Sequence, residues 1–466
     1  MKYSLSPVSV PPVSTKYRRI HTPMPVPESV SILEELRRCE PVSMQGQPPI
    51  VWHRASGFQV EDPWGNRWID WSSGVLVTNV GHGHPRICAA IRELADRPLL
   101  ATYVFPHRLR ADLASRLVEI SPKGIDKAFL LSTGAEAIEC AIKLARTWGV
   151  EKSGRNKHII VSFENAFHGR TLGAQLAGGI PKLKEWIVRT DLGFVQAPFP
   201  DGYKNEDTRF ELFEESLAAQ GVSPDTVAGV ITESYQGVGP DFMPVEYAQR
   251  LRGWCDRHNA VLIMDEVQSG FGRTGKMFCF EHYGIVPDLI CCGKGISSSL
   301  PIAAVLGRKE IMDLYPPGSM TSTHSANPVC CAAALASIEV LLEEKLIENS
   351  ASLGKVLKKG LEEIQKAHPA VAGCVQALGL VGGIQIVQPG ARKPNPELAL
   401  TINEKCFQKG LLMFAPVGVA GECIKIAPPL CINREALEEG IAVLREALDE
   451  VMHEQSSACG RSAKRV

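Results

Sequence analysis

From about residue 80 to about residue 340, short apolar runs alternate with longer stretches that are amphipathic at helical spacing. This alternation limits the possible folds more than any other feature. The runs "KAFLLS", "HIIVSF", "VAGVITE", "AVLIMDEV", "DLICCG" and "AAVLG" read as buried strands. "AEAIECAIKLARTWG" and "PVEYAQRLRGWCDRH" place their apolar residues on one helical face. Strands that are apolar throughout are covered on both faces, and the intervening helices supply that cover. The expectation is therefore an α/β fold with a mostly parallel sheet and helices on both faces.

A chain of 466 residues is longer than one hydrophobic core usually serves. The expected division begins with an irregular N-terminal arm over 1–50. The N-terminal part of a smaller domain follows over 51–80, where "GFQVEDPWGNRWIDWSS" reads as a hairpin. A large α/β domain over 81–340 comes next, then a smaller α+β domain over 341–455 and a disordered tail over 456–466. The arm is rich in proline, basic before its first acid at Glu28, and reads as an extended segment lying on a partner subunit. Fifty basic against 51 acidic residues leave a formal charge of -1, so no overall field favours nucleic acid or a membrane surface. Fourteen cysteines lie scattered in apolar runs, where cysteine packs as a small hydrophobe. No secretory signal is read, so reduced thiols and a cytoplasmic location are expected.

Two motifs fail on inspection. "GFGRTGKM" (270–277) comes close to a phosphate-binding P-loop, but Met277 stands where a hydroxyl must hold magnesium. "GHGHP" (81–85) offers His82 and His84 with no third ligand at zinc-like spacing, so no metal site is expected.

Three other features converge. In "LLSTGAEAIECAIKLAR" a strand runs into a helix, and Thr133 with Glu136 spells a capping box. The free amides of Gly134 and Ala135 at that helix start suit a phosphate. Asp265 ends the buried run "AVLIMD", and Lys294 follows the next strand in "PDLICCGKGISSSLPIAAV". Ligands of open α/β sheets sit beyond the carboxyl ends of the strands, which places both groups in one crevice. An ammonium in so apolar a run is costly unless paired or neutralised. Pyridoxal 5'-phosphate needs all three features: an amine for a Schiff base, a carboxylate on its ring nitrogen and a phosphate anchor.

These motifs, in this order, resemble the class III pyridoxal-phosphate aminotransferases, the 4-aminobutyrate and ornithine aminotransferase group, over roughly residues 50–450. The resemblance implies fold type I and a ping-pong transfer of an amino group from an ω-amino acid or primary amine to a keto acid. It makes Lys294 the cofactor lysine and Asp265 the partner of the ring nitrogen. Thr133, Gly134 and Ala135 belong to its phosphate turn. Phe167, in "FENAFHGRT", lies on the ring with His168 beside it; Val267 packs under the ring and Gln268 reaches its hydroxyl. Thr323, in "TSTHSANPVCCAAALA", reaches the phosphate of the other subunit, which implies a homodimer with shared active sites, or a tetramer built from it.

The family pattern breaks at its Arg–Glu switch. Glu233 is kept in "ESYQGVGP" as an expected substrate contact, but Val238 stands at the switch glutamate, and Lys425 in "IKIAPPL", also an expected substrate contact, replaces the arginine. Lysine binds a carboxylate without the bidentate fork of arginine. Arg170 is the expected partner of a distal substrate carboxylate, and Val75 the apolar lining of the substrate arm. An amino-acid racemase or epimerase of the same family is the alternative function, since it needs no second keto substrate. A catalytically silent cofactor-binding protein is a further rival.

Overall fold

The computed structural model describes residues 3–189 and 193–462, and the chain divides into two compact units. One holds 77–80 and 84–350; the other holds 1–76, 81–83 and 351–466.

The larger unit is built on a seven-stranded sheet. Its strands are β1 (Lys127–Leu131), β2 (Ile159–Phe163), β3 (Phe194–Ala197), β4 (Val227–Glu233), β5 (Val261–Asp265), β6 (Leu289–Cys292) and β7 (Ala303–Gly307). Their order across the sheet is β1-β7-β6-β5-β4-β2-β3, and only β7 runs against its neighbours. Every residue of β4, β5, β6 and β7 is buried, as expected of strands covered on both faces. Each strand run read from the sequence forms a strand of this sheet. The edge strand β3 is an addition: it is only four residues long and its Gln196 interrupts the apolar pattern.

Helix α1 (Gly134–Ser153) lies across the sheet. Ala137, Ile138, Ala141, Leu144 and Ala145 are fully buried in one core cluster with Ile160, Ile231, Val261, Ile263, Leu289 and Val305. The small side chains bring the helix close to the strands. Its start is the capping box seen in the sequence: Thr133 Oγ1 accepts from the Glu136 amide at 3.2 Å, and Glu136 Oε2 accepts from the Thr133 amide at 3.0 Å. Helix α2 (Leu172–Ala177) is a short segment beyond β2, and α3 (Val245–Arg257) precedes β5.

The smaller unit carries a three-stranded antiparallel sheet of β8 (Ala372–Leu378), β9 (Val381–Ile386) and β10 (Cys423–Ile426). It also carries the hairpin read from the sequence, with Gln59–Glu61 paired to Arg67–Asp70. Asp62 closes that turn by accepting from the amides of Trp64 and Asn66. The N-terminal arm packs on its own chain: Tyr3, Ile20 and Met24 are buried with Trp68, Phe407 and Leu412, and Tyr3 OH donates to Asn403 at 2.6 Å. Proline excludes helix but not apolar burial, so an extended arm can still join a core. The tail expected to be disordered from 456 is helical as far as Ser462, at the end of α4 (Arg434–Ser462); residues 463–466 lie outside the described residues.

Candidate active site

In the larger unit the parallel strands end on one side. Gly134, Ala135, Phe167, His168, Gly169, Glu233, Tyr235, Asp265, Val267, Gln268 and Lys294 line a cavity there of about 200 Å³. Asp265 is the last residue of β5, Glu233 the last of β4, and Lys294 stands two residues past β6.

Asp265 is buried and fixed by two bonds. Its Oδ2 lies 2.8 Å from His168 Nδ1, and its Oδ1 accepts from the Val267 amide at 3.0 Å. Burial works against the imidazolium of His168, but the hydrogen bond and charge of Asp265, with Glu233 behind it, outweigh burial and hold its pKa above the ordinary value. His168 Nε2 is buried without a partner among the described residues. Glu233 is also buried, and its two oxygens accept from the amides of Phe167 at 2.9 Å and Gly237 at 2.7 Å. Burial pushes this carboxyl up to about 7.

Lys294 keeps part of its surface where it lines the cavity, and its backbone has φ +43°. A non-glycine residue in that region is strained, and such strain gathers at functional positions. The protein around the amine lowers its pKa, against the pull of Asp265 and Glu233. Among the described residues it forms no ion pair and no hydrogen bond.

Among the described residues the amides of Gly134 and Ala135, at the start of α1, take no partner. A Cβ on Gly134 would meet Val267 Cγ1 at 2.8 Å, so only glycine lets α1 approach the residues after β5 this closely. Phe167 is partly buried, and the Arg170 guanidinium stands over its ring at 5.5 Å from the centroid. Arg170 is exposed and does not line the cavity.

Some expected site residues lie elsewhere. Thr133 spends its hydroxyl on the helix cap. Thr323 is exposed and lines a separate hollow of about 530 Å³ with Ser132, Glu136 and Glu139. Val75 and Lys425 belong to the smaller unit. There Val75 sits in a left-handed turn, Ser73–Leu76, with φ between +49° and +65°. The turn is bonded to the segment after β10: Ser73 Oγ donates to the Ala427 carbonyl at 2.6 Å, and the Ala427 amide to the Trp71 carbonyl at 2.8 Å. Lys425 is buried, at 2% exposed.

Sequence reasoning missed Tyr235 and Glu266. Tyr235 lines the cavity and its hydroxyl donates to the Gln268 carbonyl at 3.3 Å. Glu266, next to Asp265, turns away from the cavity lining. Its carboxylate accepts from Ser234 Oγ, from Ser269 Oγ at 2.8 Å and from the amides of Cys279 and Phe280 at 3.0 Å each. Alternation along a strand assigns Asp265 and Glu266 to opposite faces but does not say which face carries the ligand.

An amine whose pKa burial lowers, a fixed carboxylate, two helix-start amides open among the described residues and an imidazole nitrogen without a partner among them form a donor set that fits pyridoxal phosphate. Fold and site together define a pyridoxal-phosphate enzyme on a mostly parallel α/β sheet. The sequence matches the class-III aminotransferase family over residues 42–448, and the chain belongs to that family. It is 34% identical over 449 residues to the 4-aminobutyrate aminotransferase of Mycobacterium leprae, which spans 93% of this chain and 98% of that one. It is 35% identical over 429 residues to the 5-aminovalerate aminotransferase DavT of Pseudomonas aeruginosa, at 90% and 98% coverage. A PLP-bound amine transaminase from an uncultivated Pseudomonas species superposes with a TM-score of 0.80 at 28% identity, covering 86% of this chain and 95% of that one. The chain is an aminotransferase that uses pyridoxal phosphate, and group transfer displaces the isomerase alternative.

Proposed function

We propose that the donor is an ω-amino acid or primary amine of the 4-aminobutyrate type and that the acceptor is a keto acid, the two reacting in turn at one site. The observation that carries this reading is Lys294 and Asp265 lining one cavity beside two free helix-start amides. When bound, pyridoxal phosphate supplies an aldehyde to hold an amine and a ring that withdraws electrons from the carbon bearing it. Lys294 would hold the cofactor, Asp265 its ring nitrogen, Gly134 and Ala135 its phosphate, and Phe167, Val267 and Gln268 its ring. The chemistry asked of the chain is proton transfer at the substrate carbon. An amine whose pKa burial has lowered is uncharged for more of the time near neutral pH, so Lys294 Nζ can take that proton and return it. Asp265, oriented by His168 and the Val267 amide, presents its carboxylate to the same cavity.

Both named relatives act on unbranched ω-amino acids, and an apolar Val75 suits an aliphatic chain better than a second amine. Arg170 is the proposed partner of the distal carboxylate, held over the Phe167 ring by a cation–π contact. Lys425 is the proposed anchor of the acceptor carboxylate, an assignment resting on the family pattern. For Glu233 the bonds to Phe167 and Gly237 support a positioning role in place of the expected substrate contact. A cytoplasmic homodimer, with Thr323 serving the partner's site, completes the proposal. Among the described residues no helix is long and apolar enough to cross a membrane.

A donor screen against pyruvate and 2-oxoglutarate tests the substrate reading. Expected are turnover with 4-aminobutyrate or 5-aminovalerate, loss of it on Arg170→Ala with a carboxylate-free amine spared, and a raised KM for the keto acid on Lys425→Ala. Equal loss of both donor types on Arg170→Ala would sink the carboxylate assignment.

A further inference from the structure

Three carboxylates from three elements hold the segment that follows β2. Glu233 takes the Phe167 amide and Asp265 takes His168, both inside the cavity. The third, Glu139, lies one turn into α1 and lines no part of that cavity. Its Oε1 accepts from Thr171 Oγ1 at 2.5 Å, from the Gly173 amide at 2.8 Å and from the Ala174 amide at 3.1 Å. We propose that Glu139 is a positioning residue for the cofactor: it latches the segment bearing Phe167 and His168 to the helix whose first amides face the phosphate, so that both walls of the cavity are held in register.

Local geometry supports this role. Glu139 sits five residues after Gly134, on the helix whose start makes the cradle. Thr171, Gly173 and Ala174 follow Phe167 and His168 without a break. The approach depends on glycine at position 173, because a Cβ there would meet Glu139 Oε2 at 2.3 Å. Nearer the cavity, a Cβ on Gly169 would meet the Ala135 Cβ at 2.9 Å, so the two walls touch there without room for a side chain. A single oxygen serving three donors fixes both the height and the rotation of the turn. The ring wall and the phosphate wall then act as one rigid body, and rigidity at a binding site improves retention of the ligand.

The test uses the holoenzyme and reads cofactor retention. Rates of cofactor loss after dilution, the affinity of the stripped protein for added pyridoxal phosphate, and the circular dichroism of the cofactor band are compared across four variants. Glu139→Ala should weaken cofactor affinity by roughly tenfold or more and reduce the dichroism, which reports ring orientation. Glu139→Gln should stay close to wild type, because an amide oxygen can replace Oε1. Gly173→Ala should reproduce the Glu139→Ala defect, since the new methyl displaces the carboxylate, and the double variant should be no worse than Glu139→Ala alone. Unchanged affinity and dichroism in Glu139→Ala would overturn the proposal. If that variant does not fold, Gly173→Ala decides: a defect supports the latch and wild-type retention overturns it. Glu139→Gln failing as badly as Glu139→Ala would also overturn it, by assigning the effect to charge.

Discussion

The two ends of the large sheet treat buried charge in opposite ways. At the amino ends of the strands, Asp288 stands just before β6. Its Oδ1 takes Arg308 at 2.8 Å, and its Oδ2 takes Arg252 and the Leu262 amide, each at 2.8 Å. Arg252 reaches on to Asp256, and Arg308 to Glu310. Buried Asp288 is ion-paired to both arginines, as a buried charge requires, although Arg252 Nε is buried without a hydrogen-bond partner among the described residues. At the carboxyl ends, Asp265 and Glu233 line a cavity with an amine that pairs with neither, and one imidazole nitrogen has no partner among the described residues. Groups left open in this way are complete only with a ligand. What separates the two ends is ion pairing, not charge count.

Asp265→Asn tests the contrast with the largest expected effect. It should cut turnover roughly 10²-fold or more, by removing the charge the site is built around, and leave the melting temperature nearly unchanged. A large loss of stability with normal turnover per folded molecule would reverse the two roles. Asp288→Asn should do the opposite. Two arginines lose a buried partner, so stability should fall by about 3 kcal/mol in denaturant unfolding, while kcat per folded molecule and the cofactor spectrum hold. The smallest effect is in pH. Burial raises Glu233 and Glu266 from an ordinary 4.5 to about 7, so between those values the folded protein keeps protons that the unfolded chain has released. Each group's contribution to stability is therefore full below about pH 4.5 and is lost as pH rises to 7, at no more than about 1.4 kcal/mol per pH unit. Glu266→Gln should flatten that slope in the cofactor-free protein, measured as melting temperature against pH. An unaltered slope would mean that Glu266 stays ionised.

The reactive end was legible in the sequence to an unusual degree, and for a physical reason. Strands buried on both faces write their limits as apolar runs, so Asp265 and Lys294 stand out as polar residues at run ends. The capping box announced where α1 begins. Other features leave no local trace. Glu139 and Gly173 meet across 34 residues, and neither residue type is unusual in its own stretch. The left-handed turn at Ser73–Leu76 costs roughly 1–2 kcal/mol at each non-glycine residue, yet only Gly74 hints at it, because bonds to the segment after β10 impose it. The C-terminal helix runs past the point where its apolar pattern fades, so composition alone suggested an earlier end.

The central claim is that the unpaired amine at the carboxyl end of the sheet holds the cofactor. Borohydride reduction of the holoenzyme fixes the coenzyme to whichever amine carries it, and digestion with mass spectrometry locates it. A pyridoxyl group on the peptide containing Lys294, absent from Lys294→Ala, is the expected result. Label on buried Lys157 or Lys425, or no label at all, would contradict the account.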